Sequence, residues 1–541
     1  MDGAVDHSIF DFDRDLHVEA RSVLTLSPEP QNNFEVAVIL ETQGYTDEMA
    51  RSLGSPDIFA LAERVFAVLS LYTGDTIADA ARPATEPASA APAASRMPVL
   101  ILRGLLYSVP WLFALAALLV SRVSFWSTIT TVQFSSTISL ALFVALVLSG
   151  GFVQAFARRG TFYALQGNFP LLSWVTRWTL GVAVLVALLV CGGLYVLLEW
   201  GLRAYTPSAT WAFLWFGLSI TGMLLALAPL YMARAFGAVA VTVGAGAVFL
   251  ILAGQYITHG DYINPYTAMR VQLVAIWVVV VLATAADMIV LRRAVVSGAD
   301  PLAGPVRPPR LSAVARSVGG YAAYGACFFL LIIVDQLVAG GLWRGQFVYD
   351  GRYELAVGVG LLVLIATLTY VVAVSERFPH VVRAALRRYS VAEVVRLRGH
   401  LASFYRRHLA VLLLIGIGAA VTLLALASWS PGFAAIFSTH PSIRAVIGLF
   451  GGALTAYVLL SVGALNSGLL FALARPAAPA LGTALGSLVS FVVGGLAGWI
   501  WQPEAGALLG LVAGTALFGA VTTHVAWRAF RDFDASYYRA F

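Results

Sequence analysis

"FFLLIIVDQLVAGG" runs from Phe328 to Gly341, a hydrocarbon-like stretch interrupted by Asp335 and Gln336. An aspartate at the centre of a membrane helix costs about 2.5–3.5 kcal/mol on insertion scales. Either the surrounding protein offsets that cost, or the position serves a task that outweighs it. The rest of the chain shows what surroundings are available. Of its 541 residues, 60% are hydrophobic and 11% charged, against roughly 25% charged in soluble domains. With a mean hydropathy of +0.83, the composition is that of an all-α polytopic membrane protein. No nucleic-acid partner, cofactor or metal ion is expected.

From Val99 onward about twelve apolar stretches are long enough to cross a hydrocarbon layer roughly 30 Å thick. They lie near 99–120, 132–156, 178–200, 208–233, 235–257, 268–291, 317–342, 354–375, 409–429, 443–472, 478–501 and 504–527. Two connections stand out as long and basic. "ARRGTFYALQGNFPLLSWVTR" (157–177) follows span 2, and "ERFPHVVRAALRRYSVAEVVRLRGHLASFYRRH" (376–408) follows span 8. The same feature at the same place in each set of six spans marks a repeat. Residues 99–293 form one six-helix half and 317–541 the other, joined by a proline-rich cytoplasmic linker at 294–316. Two six-span halves starting on the same side form a parallel repeat about an axis along the membrane normal, and a cavity between them makes transport the default expectation.

All 34 basic residues are arginine, and their placement sets the orientation. With the amino-terminal region in the cytoplasm, 22 arginines beyond it fall on the cytoplasmic side and six on the outer side. Both termini are therefore expected inside, and no cleavable signal peptide is expected because no basic region leads into an apolar run. Trp126, Trp200, Trp211, Trp343, Trp429, Trp499 and Trp501 fall at outer ends, the ordinary interfacial preference. Cys191 and Cys327 lie in apolar stretches without CxxC spacing and read as small core residues.

Residues 1–98 carry a net charge of −10 and the remainder +16, a break that marks a domain boundary. Residues 1–81 read as an acidic helical head and 82–98 as an Ala/Pro-rich linker expected to be disordered. In the head, Asn33, Thr46 and Ser55 are candidate helix caps, Gly44 a stop, and Ile58, Leu61, Ala62, Val65 and Leu69 one buried stripe. The head is a docking module for a cytosolic partner or an accessory unit without activity; it holds no catalytic constellation.

Asp335 is the leading functional candidate, because intramembrane acids usually face a bundle interior or watery cavity and bind ions or substrate. The alternative is a hydrogen-bonded aspartate that fixes packing. Gln336 adds a polar group beside it. Pro110 removes a backbone hydrogen bond from span 1 and is a candidate hinge or static bend. Asp287, near the cytoplasmic end of span 6, reads as solvated at an interface. Glycines four apart in "GTALG" and "GLVAG" allow spans 11 and 12 to approach closely. Arg387, Arg388, Arg406 and Arg407 belong to a basic helical surface element that suits anionic phospholipid, or a dock for the acidic head or a partner.

"RGLLYSVPWLF" opening span 1, "FLLIIVDQLVAGGLW" in span 7, "YELAVGVGLLVLIATLTYVVAVSERF" leading to "SFYRRHL", and the tail "DASYYRAF" carry a resemblance. With the 6+6 plan, residues 99–541 resemble the MOP exporter superfamily, and within it most the membrane subunit of Pel exopolysaccharide transporters. The acidic head and tether depart from that family's compact form. The resemblance implies a flippase-like fold, no enzymatic activity, and export of a polysaccharide across the bacterial inner membrane. The partners it implies are a cytoplasmic glycosyltransferase and other inner-membrane subunits of a secretion complex. A cation-coupled small-molecule or drug exporter is the main alternative. A membrane glycosyltransferase or ligase is disfavoured by short external loops, and a scaffold subunit by the two similar halves.

Overall fold

In hydrocarbon every backbone N–H and C=O must be satisfied within its own segment, so each long apolar stretch becomes a helix. The computed structural model describes residues 16, 19–20, 22–24, 30, 32–42, 45–80, 97–121, 123–126, 131–165, 169–257, 264–297, 311–342, 345–389, 393–429 and 443–538. The chain divides into two units, Met1–Ala94 and Ser95–Phe541.

The first unit contains α1 (Asn33–Thr42), α2 (Asp47–Ser52) and α3 (Ile58–Ala80). The buried stripe of α3 is the expected one, and Leu16, Ala20 and Val23 from the segment before α1 complete its core. Thr46 caps α2, accepting from the Met49 N–H at 3.4 Å. The other two caps lie beside the expected residues. Asn32, not Asn33, accepts from Glu35 N–H at 2.9 Å. Asp57, not Ser55, accepts from Ala60 N–H at 2.8 Å, while buried Ser55 takes a hydrogen bond from Arg64 at 3.2 Å. The expected stop at Gly44 and tether residues 82–96 lie outside the described residues.

In the second unit, the first half comprises α4 (Met97–Tyr107), α5 (Val109–Ser121), α6 (Val132–Leu165), α7 (Phe169–Val196), α8 (Pro207–Met232), α9 (Phe236–Ile257) and α10 (Pro265–Ser297). A π-helical turn, Leu197–Leu202, extends α7. The second half comprises α11 (Leu311–Ala339), α12 (Gly351–Arg388), α13 (Val394–Trp429), α14 (Ile443–Ala472), α15 (Ala477–Ile500) and α16 (Pro503–Arg531), followed by the short α17 (Phe533–Tyr538). Among the described residues eleven helices are long and apolar enough to span a membrane; α4 and α5, bent by 54°, together make a twelfth.

The arginines gather at one end of the bundle, here the basic end; the other is the far end. The basic connections are not separate surface elements as expected. They are prolongations of the spans themselves, with α6, α12 and α13 reaching 34, 38 and 36 residues. Arg158 and Arg159 ride on α6, Arg388 ends α12, and Arg406 and Arg407 lie on α13, the last three exposed. The Arg387 side chain lies outside the described residues. Arginine tolerates this position because its aliphatic stem packs on apolar surface while its guanidinium reaches water.

Each half has its own core. In the first, Phe213, Phe216, Ile220 and Leu230 of α8 pack around Phe125, Val243 and Val279. In the second, Leu331, Tyr353, Phe450, Tyr457 and Phe518 fill the middle, and Phe378, Tyr405, Phe530 and Phe533 the basic end. The paired glycines of α15 and α16 act as expected: a β-carbon on Gly486 would lie 2.8 Å from the Gly514 carbonyl oxygen. The halves meet along α6–α11 and α4–α12. A β-carbon on Gly325 of α11 would run into the Gly150 carbonyl of α6, so only glycine permits that approach. Trp200, Trp211, Trp429, Trp499 and Trp501 are exposed, fitting an interfacial belt. Trp126 departs from it by turning inward onto Trp111, with ring centroids 5.1 Å apart; Trp343 lies outside the described residues. Cys191 and Cys327 are both free.

Candidate functional site

Span 1 breaks at Ser108, and Pro110 is the second residue of α5. Lacking an N–H, proline fits a first helical turn, where no intrahelical acceptor is needed. The break lets one span serve both halves, since α4 packs on α12 and α5 on α9. A cavity of about 470 Å³ opens beside it, and Pro110 is among its lining residues. The wall is aromatic: Tyr107, Trp111, Trp126, Phe156, Tyr231 and Phe329. Tyr107 and Tyr231 stack with centroids 5.2 Å apart, and Tyr231 donates to the Tyr107 carbonyl at 3.3 Å. Ser149, Gln154 and Thr161 add hydrogen-bonding groups.

Most of this lining comes from the first half, while Phe329 of α11 and Glu376 of α12 come from the second. At the basic end Glu376 faces Arg103 of α4 at 3.7 Å and Arg234 of the α8–α9 turn at 4.0 Å. One second-half carboxylate thus stands between two guanidinium groups from the first half. No sequence signal reports the pairing of Arg103 with Glu376, which lie far apart in the chain.

Asp335 is not among the residues that line this cavity, nor is Gln336. It follows Phe329 by six residues, or about 240° around the helix, so it points into the second half instead. There it is fully buried, and Gln336 is 8% exposed. The Tyr353 hydroxyl donates to Asp335 Oδ2 at 2.7 Å. Asp335 Oδ1 and the Tyr457 hydroxyl are buried without a hydrogen-bond partner, and Glu354 is near enough for the two carboxyl groups to interact. Buried polar atoms are nearly always satisfied, so two orphans side by side ask for an explanation. Asp287 also departs from its reading as a solvated residue: it is 8% exposed, and its Oδ1 has no partner. Helix α10 runs on for more than two turns beyond it, to Ser297, which keeps it below the end of the bundle.

At the far end, the segment between α11 and α12 crosses to the first half. Gln346 Nε2 donates to the Ala204 carbonyl at 2.7 Å, the Tyr205 hydroxyl to the Phe347 carbonyl at 2.6 Å, and Tyr349 N–H to Ser136 Oγ at 2.8 Å. Burial pushes the Tyr205 hydroxyl up to about 12, so at neutral pH it is protonated and donates. Burial also pushes the Tyr349 hydroxyl up, with the Glu354 and Asp350 charges adding to the shift. Phe347 is buried against Phe143 of α6, with ring centroids 5.9 Å apart. None of these contacts has a sequence-local signature.

The fold is that of a polytopic helical protein of two six-span halves, with a cavity walled by both. Solved structures to which it is similar include MATE transporters. The crystal structure of MATE in the bent conformation superposes with a TM-score of 0.54 at 13% identity, covering 81% of this chain and 97% of that one. A mutant of the Vibrio cholerae MATE transporter VcmN gives 0.54 at 13%, covering 82% and 99%. The MATE transporter ClbM in complex with Rb+ gives 0.52 at 15%, covering 82% and 98%. Another neighbour is an outward-facing multidrug resistance MATE family transporter of the MOP superfamily. The chain therefore shares its fold with these MATE transporters. No protein-family profile and no curated protein matches the sequence.

Proposed function

We propose that this chain is an alternating-access transporter that carries a drug-sized, ring-bearing solute through the cavity between its halves. The observation that carries this reading is a cavity walled by both halves, on a fold shared with solved transporters. About 470 Å³ lies within the range of drug-sized ligand sites, and three hydrogen bonds join the halves at the far end. The tyrosine and tryptophan faces suit flat or ring-shaped solutes. Asp335 acts as the coupling acid: its orphan oxygen, beside Glu354 and the orphan Tyr457 hydroxyl, suits a proton or a monovalent cation. The arginine-rich end faces the cytoplasm of a bacterial inner membrane, with Arg388, Arg406 and Arg407 against anionic phospholipid.

Export of an exopolysaccharide or its precursor is the second reading. The Pel-like residues of spans 1 and 7 favour it, and so do the aromatic walls, on which sugar faces stack. A cytoplasmic glycosyltransferase and further inner-membrane subunits would then be partners. One experiment separates the readings: deletion cells, with and without the chain restored, are assayed for secreted polysaccharide and for retention of small ring-bearing dyes. Polymer loss rescued by the chain selects polysaccharide export. Normal polymer with restored dye extrusion selects the small solute, and no change in either overturns transport.

A further inference from the structure

The hydrogen bonds at the far end form a clasp rather than a scatter of contacts. Within the six residues Gly345–Asp350, the three positions Gln346, Phe347 and Tyr349 bond to three first-half sites: Ala204, Tyr205 and Ser136. The segment also folds back on its own root, with Val348 N–H donating to the Gly340 carbonyl at 2.7 Å. Its two roots are α11, which carries Asp335 one turn before its end, and α12, which carries Tyr353 in its first turn. Tyr353 holds both. Its N–H donates to Asp350 Oδ1 at 3.2 Å, the last residue of the segment, and its hydroxyl donates to Asp335 Oδ2 at 2.7 Å. One residue therefore joins the end of the clasp to the buried acid.

We propose that Gly345–Asp350 is the far-end gate of the pathway, and that Tyr353 makes its closure depend on whether Asp335 holds a proton or monovalent cation. The inference rests on the alternating-access reading. While the clasp is bonded, the halves cannot part at the far end. A cation arriving at Asp335 competes with the Tyr353 hydroxyl for its carboxylate, frees the foot of α12, and loosens the segment rooted there. The groups facing Asp335 are Tyr353 and Glu354 from α12 and Tyr457 from α14. Helices α6 and α15, also packed on α11, carry no charged residue in their far halves, and α16 carries only Glu504.

The test uses the full chain in lipid nanodiscs with Cys191 and Cys327 replaced by alanine. Ser139→Cys puts a thiol one turn of α6 inside Ser136, leaving the three clasp bonds intact, at a position that is 9% exposed, and the rate of its modification by a water-soluble maleimide reads gate opening. Losing one neutral hydrogen bond changes an equilibrium by roughly two- to twelve-fold. Tyr205→Phe and Gln346→Ala should each raise the rate within that range. Tyr353→Phe should do likewise, as should Asp335→Asn, which stands in for the neutralised acid. A thiol at Ser467, buried near the basic end, should stay unreactive in every variant, excluding general unfolding. Unchanged rates in Tyr205→Phe and Gln346→Ala would overturn the gate. A response to those two but not to Tyr353→Phe or Asp335→Asn would overturn the link to Asp335. The transport reading fails separately, in the polymer and dye assays, which do not depend on the thiol.

Discussion

Replacing Tyr353 by phenylalanine tests the buried cluster most directly. The ring is 1% exposed and keeps its packing among Leu331, Phe450 and Tyr457, so only the hydroxyl is lost. Asp335 Oδ1 already lacks a partner; without the 2.7 Å bond from Tyr353, neither carboxyl oxygen has a side-chain donor. Leaving one buried polar partner unsatisfied costs about 1–3 kcal/mol, and more for a charged group. Asp335→Asn keeps an acceptor oxygen and should cost less. In the double variant neither the charge nor its donor remains, so its loss should be smaller than the two single losses summed. The coupling term of the cycle should be about 1.5–3 kcal/mol for a bond to an ionised carboxylate and about 0.5–1.5 for a neutral one. Unfolding midpoints of the four proteins in titrated denaturing detergent supply the numbers. Strict additivity would refute the reasoning, because it would mean that Tyr353 and Asp335 do not depend on one another.

Gly325→Val should lower the melting temperature sharply, since its β-carbon meets the Gly150 carbonyl and overpacking costs about 1–3 kcal/mol; Gly319→Val, with nothing within 4 Å of its β-carbon, should leave it unchanged. Glu376→Gln should have a small effect, under about 1 kcal/mol, because its pairs are long and Arg234 is 61% exposed. The difference from wild type in thermal melts should shrink further as salt rises. The Arg398 guanidinium, at 2.7 and 2.9 Å, holds the Asp534 carboxyl below the usual carboxylate range. Its stabilising contribution is then present at neutral pH and disappears only as pH falls below the ordinary aspartate value of about 3.9. Hydrogen exchange of α17 should therefore stay slow from pH 7 to 5 in the wild type and speed up at neutral pH in Asp534→Asn.

The twelve spans were readable because twenty apolar residues in a row have few other physical meanings, and the break at Pro110 because proline cannot donate. Asp335 stood out for its cost, but its direction did not. A helix that is apolar all round has no polar stripe from which to tell cavity, core and lipid apart, and only the structure shows that Phe329 faces the cavity and Asp335 the second-half core. The same ambiguity hid Asp287. The caps of α1 and α3 were missed narrowly because Asn32 and Asn33, or Ser55 and Asp57, satisfy one pattern equally well. The basic connections looked like surface elements because charge was weighed above helix continuity. Tyr353, Glu376 and the clasp were invisible because their partners lie on other helices, and no periodicity within one segment reports a contact between two.

Two helices link the features that the proposals use. On α11, Phe329 and Asp335 lie six residues and about 9 Å apart, one on the cavity wall and the other in the acid cluster. On α12, Tyr353 holds the clasp at the far end, while Glu376, twenty-three residues and about 35 Å along the helix, faces Arg103 and Arg234 at the basic end. The one proline inside α12 is Pro379, which opposes the carbonyl of Ser375, so α12 runs without a proline break from Tyr353 to the residue before Glu376. A first-half arginine pair and a second-half clasp are then opposed across a single lever. In the proposed gate, freeing Tyr353 would let the far end part, and the accompanying tilt of α12 would press Glu376 toward the arginines. That opposition is what alternating access requires, because one end must close as the other opens. On the proposed reading the acid need not touch the solute, because it would act on the helices that form both ends of the path.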